Sequence, residues 1–265
     1  VLETSNSILN RSMWSLLTPE SVLYWQRVIV SNRLAHNSRE WTDLFSTMQS
    51  GTYNNQWMVL DMKLFLSGGG SIKPGTLWVA ESAPGMYHAE DKSDVLKTSW
   101  WPSFNRPYFP DIYKVTGYEE VVAKWGDMFS YQRNPRANIF RRDAGNVNDL
   151  QTMQAFINSN SYQTDPFSYG YPGNTVGGRF DFKGGPATGS PYDGWFKLGL
   201  HGARDGKVVS ALANVKGMAM SAINGPPYNS QCPVFQWSNS QWANTTHVGQ
   251  PDRFEFQWVD FHSPV

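Results

Sequence analysis

The run QWMVLDMKLF (56–65) is the feature that most constrains this 265-residue chain. It is dense in β-formers, the Ser67-Gly68-Gly69-Gly70 stretch turns the chain, and TLWVAES (76–82) returns. Two such runs joined by a glycine-rich loop predict a β-hairpin, and therefore a sheet to which the rest of the chain must adapt. Helices are expected before it. Thr18-Pro19-Glu20 reads as a cap followed by Pro in the first turn. Val22, Leu23, Trp25, Val28, Ile29 and Leu34 then keep helical spacing, which predicts a helix over 19–35. Ser38 caps a second helix with Trp41, Leu44, Phe45 and Met48 on one face, and Gly51 stops it. A short strand is expected over Met86–Ala89. Residues 93–113 read as irregular and Pro-rich. Helices follow over YEEVVAKWGDMF after Gly117, from Asn134-Pro135 to about Arg142, and over 147–158.

The stretch 163–194 is rich in Gly and Pro yet studded with Phe and Tyr, so it reads as a long structured loop. A strand (206–211), a helix of small residues (about 212–223) and an aromatic strand, FEFQWVDF (254–261), complete the reading. Neither an internal repeat nor a break in composition divides the chain. The expectation is one α+β domain over 1–265.

Charge excludes several classes of partner. Lys+Arg and Asp+Glu both number 22, so the basic excess of a nucleic-acid binder is missing and no nucleic acid is expected. Aromatic residues are 15% and charged residues only 17%, the opposite of a disordered composition. No apolar run approaches the roughly 18 residues of a membrane-spanning helix, so no transmembrane segment is expected. The opening VLETSNSILN has neither the basic nor the apolar region of a signal peptide. The chain is therefore expected to begin inside a longer precursor.

Self-contained chemistry is sparse. HExxH, G-x-S-x-G, G-x-G-x-x-G and the P-loop pattern are all missing, so neither metal nor nucleotide cofactor is expected. The five histidines (36, 88, 201, 247, 262) show no ligand spacing. His201, followed by Gly202 just before a strand, is the candidate among them for lining a site. The single cysteine, Cys232, allows no disulfide within the chain and reads as a small buried side chain. The sequons at Asn10 and Asn244 lean weakly toward a secretory route and glycosylation.

Five longer strings carry a resemblance: SGTYNNQWMVLD (50–61), WWPSFNRPYF (100–109), GDMFSYQRNPRANIFRRD (126–143), QCPVFQWS (231–238) and HVGQPD (247–252). In this order and spacing the chain resembles the phospholipase B-like proteins, a lysosomal or secreted group, from about residue 1 to 261. The resemblance implies the N-terminal nucleophile hydrolase fold, a four-layer αββα sandwich of two stacked antiparallel sheets with helices outside. It also implies a precursor that cleaves itself before a cysteine. The new N-terminal thiol attacks an acyl carbon of a lipid ester or amide, with its own α-amine as base. An unperturbed α-amine titrates near 7.7–8.0 and suits that role.

Residue 1 here is Val1. The resemblance therefore places the nucleophile on an upstream polypeptide of the same precursor, with this chain as the C-terminal part of the large subunit. The alternative is a non-catalytic lumenal glycoprotein of the same fold that binds lipid or a protein partner.

The same resemblance points to site residues. Leu2-Glu3-Thr4-Ser5 matches a segment whose hydroxyl lines the site, which supports Thr4 or Ser5 without choosing between them. Asn105, in SFNRPYF, matches an Asn of the family's site, and an amide N–H is a fit donor for an oxyanion. Its plainer role is to tie its own turn before Arg106-Pro107. Asn54 and Asn55 are candidates for substrate binding or for turn chemistry. Arg136 is a candidate clamp for an anionic head group, or a helix-surface ion pair. Trp101, with Trp100, Phe104, Tyr108 and Phe109, is a candidate wall of an acyl pocket, or core.

Overall fold

Short helices and small antiparallel sheets make up the chain, an α+β arrangement, in a computed structural model that describes residues 1–67, 71–181, 198–200, 205–211 and 219–262. The chain divides into two compact units, Val1–Gln132 and Arg133–Val265.

The first unit is built on the expected hairpin. Its elements are β1 (Leu2–Ser5), α1 (Tyr24–Leu34), α2 (Ser38–Ser46), β2 (Asn55–Leu60), α3 (Met62–Ser67), β3 (Leu77–Ala83), β4 (Met86–Asp91), α4 (Pro110–Val115) and α5 (Tyr118–Trp125). The strands form one antiparallel sheet in the order β1-β2-β3-β4. Strand alternation sends Trp57, Val59 and Ala80 to one face, where they pack with Trp41 and Phe45 of α2. Leu77, Val79 and Ala83 face the other way, against Phe109, Ile112 and Met13. β3 is thus covered on both faces, which explains its nearly unbroken apolar run. Phe45 is 1% exposed, so its truncation to Ala is expected to cost about 3–5 kcal/mol.

Three expectations need adjusting here. The first helix starts at Tyr24 rather than 19, because Val22 is held extended: its N–H donates to the Met48 carbonyl and it bridges Gln49. The run 56–65 does not stay a strand. Asp61 ends it by accepting from the Lys63 N–H with its side chain and from the Phe65 N–H with its carbonyl, which starts α3. The second helix is capped by Asn37, one residue before the expected Ser38, with the Asn37 side chain accepting from the Glu40 N–H at 2.9 Å. That helix also ends at Ser46, before the expected stop at Gly51, and Met48, expected on its apolar face, is exposed beyond the helix end with φ +51°. Gly51 serves the turn that follows: its φ is +69° and a Cβ there would stand 2.8 Å from Pro84 Cα, so only glycine fits. The glycines at 68–70 lie outside the described residues.

The second unit carries α6 (Pro135–Asp143), α7 (Leu150–Ile157), β5 (Asp205–Val208), β6 (Ala219–Asn224), β7 (Phe235–Gln236), β8 (Arg253–Phe254) and β9 (Val259–His262). Asn134 caps α6 through the Ala137 N–H, with Pro135 in the first turn, as its sequence predicts. Asp149 and Thr152 form a reciprocal capping box on α7.

The small-residue helix expected over 212–223 is corrected by β6, which pairs antiparallel with β5 on one side and β9 on the other. Residues 212–218 lie outside the described residues. The aromatic tail splits into β8 and β9 instead of running as one strand. Of the long loop, the described part holds short 3-10 turns at Pro166–Ser168 and Pro172–Asn174. Among the described residues no helix is long and apolar enough to cross a membrane.

Candidate active site

Strand register in the first unit creates a polar row that runs across all four strands. Thr4 stands opposite Gln56, Gln56 opposite Glu81, and Glu81 opposite His88. Directly opposed residues share a face, so these four side chains line one side of the sheet.

The segment Trp101–Phe109 is fastened along that row. Thr4 Oγ1 is hydrogen-bonded to Ser103 Oγ. Trp101 Nε1 donates to Gln56 Oε1 at 3.0 Å. The backbone N–H groups of Tyr108 and Phe109 donate to the two Glu81 oxygens at 2.7 and 3.0 Å. Gln56 Nε2 donates to Glu81 Oε1 at 2.7 Å, and Asn6 Nδ2 approaches the same oxygen at 3.5 Å.

Between these anchors sits Asn105, whose Nδ2 donates to the Ser5 carbonyl at 2.7 Å and to Ser5 Oγ at 3.4 Å. Its φ is +58°, a left-handed conformation that Asn tolerates better than other side-chain-bearing residues. Its own carbonyl accepts from Arg106 at 2.8 Å and from the Tyr118 hydroxyl at 3.4 Å. The aromatics predicted as pocket or core pack with the core of the first unit, except Trp100, which is exposed. Phe104 and Phe109 are buried. Trp101 and Tyr108 are half-buried and meet edge-on at 4.7 Å.

The structure therefore gathers Thr4, Ser5, Trp101 and Asn105 around the end of β1. The other candidates stand differently. Asn54 takes a turn role, donating to the Gly51 carbonyl at 2.7 Å. Asn55 is wholly buried opposite Ser5, and neither of its amide atoms has a hydrogen-bond partner among the described residues. Arg136 belongs to α6 in the second unit. There its Nε donates to the Thr175 carbonyl and its Nη2 to the Gly173 carbonyl, both at 3.0 Å. His201 lies outside the described residues. Asn10 caps a 3-10 turn, its Oδ1 accepting from the Ser12 N–H and its Nδ2 donating to the Val115 carbonyl. Asn244 lies in an exposed turn.

Sequence reading missed Glu81, Gln56, Ser103 and His88. A signal for Glu81 was present, a lone carboxylate inside the apolar strand TLWVAES. Burial pushes the Glu81 carboxyl above its ordinary range, although four N–H donors pull the other way. At the far end of the row, His88 lies between Asp111 at 2.6 Å and Glu90 at 2.8 Å and stacks on Phe109 at 3.9 Å. Partial burial lowers the imidazole's affinity for its proton, but the bonds to Asp111 and Glu90 outweigh that and hold its pKa above the ordinary value. Asp111 and Glu90 are held below theirs. Glu90 is lowered mainly by its Lys92 hydrogen bond and then by His88. For Asp111, burial pushes upward and the His88 bond overcomes it.

Cys232 is wholly buried in the second unit, and burial pushes its thiol up to about 11. Such a thiol is a poor nucleophile. Among the described residues, no group of three or more His, Cys, Asp or Glu is arranged to hold a metal ion. Around Thr4 the chemistry on offer is a pair of hydroxyls and an amide, neutral donors able to stabilise a developing negative charge.

Comparison with known proteins gives a consistent picture. The family profile described as Phospholipase B matches residues 1–261. "Phospholipase B-like protein F" of Dictyostelium discoideum is 44% identical over 260 residues, covering 98% of this chain and 45% of that protein. "Phospholipase B-like protein E" of the same organism is 42% identical over 262 residues, covering 98% and 47%. "Putative phospholipase B-like 2" of Rattus norvegicus is 41% identical over 268 residues, covering 97% and 45%. The chain spans a little under half the length of these relatives.

Proposed function

The chain belongs to the phospholipase B family, and on that premise we propose that it is the C-terminal portion of an autoprocessed hydrolase acting on acyl ester or amide bonds of lipids. In this reading the four-stranded sheet is part of an αββα sandwich completed by upstream polypeptide. That polypeptide begins with the cysteine whose thiol attacks the acyl carbon. The thiol proton passes to the cysteine's α-amine, which returns it to the leaving group as the acyl ester or amide bond breaks, and water then hydrolyses the thioester to release the acid and restore the thiol. This chain supplies the surroundings. Thr4 or Ser5 fixes the amine or donates to the oxyanion, Asn105 donates an amide hydrogen to it, and Trp101 lines the acyl side. Arg136 is kept as a candidate for the anionic head group. The protein acts in the lysosomal lumen or after secretion, with Asn10 and Asn244 as glycan acceptors.

The observation that carries the reading is the meeting of Asn105 with Ser5 at 2.7 Å, beside the Thr4–Ser103 hydroxyl pair. Residues a hundred positions apart in the chain converge there. The state of Cys232 fits the same view, because the one thiol in this chain is unsuited to attack. The test uses the full-length protein and Asn105→Gly, which keeps the left-handed backbone and removes only the amide. Turnover of a fluorogenic acyl-lipid substrate is expected to fall about ten- to a thousandfold, the scale of losing one oxyanion donor, with the melting temperature retained. Unchanged turnover removes Asn105 from the site. Absence of any N-terminal cysteine in the processed protein favours the non-catalytic glycoprotein that binds lipid or a partner.

A further inference from the structure

We propose that Glu81 is the positioning residue of this site: its buried carboxylate clamps the Trp101–Phe109 segment onto the sheet and so sets where Ser103 and Asn105 stand relative to Thr4 and Ser5. The catalytic half of this inference rests on the hydrolase reading above.

Glu81 occupies the middle of β3, where the flanking Val79, Ala80 and Ala83 are also wholly buried. An apolar side chain would satisfy packing at such a place. A carboxylate is tolerated only if its oxygens are filled with donors. Two of those donors are the successive backbone N–H groups of Tyr108 and Phe109, at 2.7 and 3.0 Å, one to each oxygen. Backbone donors have no rotamer freedom, so the pair fixes the position and the orientation of the segment's end.

Glu81 also orders the neighbouring amide. A carboxylate only accepts, so Gln56 must turn its NH2 toward Glu81 and its oxygen away. That oxygen accepts from Trp101 Nε1 at 3.0 Å, which ties down the other end of the same segment. Asn105 lies between these two anchors, and Ser103 between Trp101 and Asn105. Glu81 acts on the Thr4 hydroxyl and Asn105 through the segment.

The test compares wild type, Glu81→Gln and Glu81→Asp in the full-length protein. Two readings are taken on each: hydrogen–deuterium exchange of the peptide spanning 100–110, and kcat and KM for a fluorogenic acyl-lipid substrate. Glutamine places an NH2 where an N–H needs an acceptor, so Glu81→Gln is expected to speed exchange in 100–110 at least about tenfold. It is expected to lower kcat by roughly a hundredfold, the scale of a misplacement of about 1 Å, with KM changed less than about threefold. Aspartate keeps both acceptors on a shorter arm and is expected to fall between the two.

Wild-type exchange in 100–110 for Glu81→Gln overturns the proposal. Faster exchange with unchanged kcat overturns its catalytic half. If Glu81→Gln does not fold, Glu81→Asp carries the test, and wild-type values on both readings overturn it. If the wild-type protein hydrolyses no acyl ester or amide, the hydrolase reading falls, while the exchange reading alone still decides whether Glu81 holds the segment.

Discussion

Glu81 in the first unit and Arg179 in the second are both charged side chains removed from solvent, and the chain satisfies them in opposite ways. Arg179 is matched by an opposite charge almost beside it in sequence. Its Nε and Nη2 donate to the Asp181 carboxylate at 2.6 and 2.7 Å, and its Nη1 donates to the carbonyls of Pro227 and Pro233. Glu81 is met by neutral hydrogen-bond donors: two backbone amides and the side chains of Gln56 and Asn6. The first arrangement neutralises a charge and pins loops together. The second meets a charge with dipoles, which makes it sensitive to where those dipoles stand and to pH. Buried charge thus acts as a staple in one unit and as a gauge of position in the other.

The sharpest way to break this contrast is to remove the staple. Arg179→Met leaves Asp181 buried without its cation and is expected to cost about 3–5 kcal/mol, read by denaturant unfolding of the second unit. Less than 1 kcal/mol of loss would mean that the pair does not hold the loops. Glu81→Leu should cost less, about 2 kcal/mol, because the donors it strands are neutral and the added apolar volume offsets part of their loss.

The pH dependence of the first unit sharpens the comparison further. His88 has a raised folded pKa, so its contribution is complete below its ordinary 6.5 and is lost as the pH rises through the raised value. Glu81 is also raised, so its burial disfavours the folded state progressively as the pH climbs above its ordinary 4.5. Asp111 and Glu90 are lowered, and their contributions are lost only as the pH falls through values below their ordinary 3.8 and 4.5. The first unit is therefore expected to be most stable in mild acid, with the melting temperature declining above pH 6.5. His88→Gln should flatten that decline at a cost of under about 1 kcal/mol in mild acid. An equally steep decline in the variant would remove His88 as its source. The smallest effect is expected at the exposed Arg39–Asp43 pair on α2. Asp43→Ala should change stability by less than about 0.5 kcal/mol, since solvent screens both partners.

The parts of the fold that could be read from sequence are those whose signals are local. The hairpin of β2 and β3 and the Asn134-Pro135 start of α6 each follow from a few adjacent residues. The failures have a common cause in distant partners. Residues 219–224 look like helix material, yet β5 and β9 hold them as a central strand through pairings that no local window contains. Val22 fits a helical stripe but is held extended by Met48 and Gln49. Thr4, Ser5 and Asn105 are reached through family resemblance and Trp101 through its aromatic neighbours, none of them through spacing. The row that organises them was not foreseen, because it exists only once four strands are in register. A carboxylate in a strand reads as the solvent face until the segment 101–109 is seen covering it.

The burial of Cys232 has a use in the laboratory. Its sulfur is sealed beside the Asn160 carbonyl, with 0% of the residue exposed and the thiolate form suppressed at neutral pH. A membrane-permeant or soluble alkylating reagent therefore meets this sulfur only when its surroundings come apart. The rate at which peptides containing Cys232 acquire the label, followed by mass spectrometry at a series of reagent concentrations, becomes a clock for local opening of the second unit. The clock needs no engineered probe.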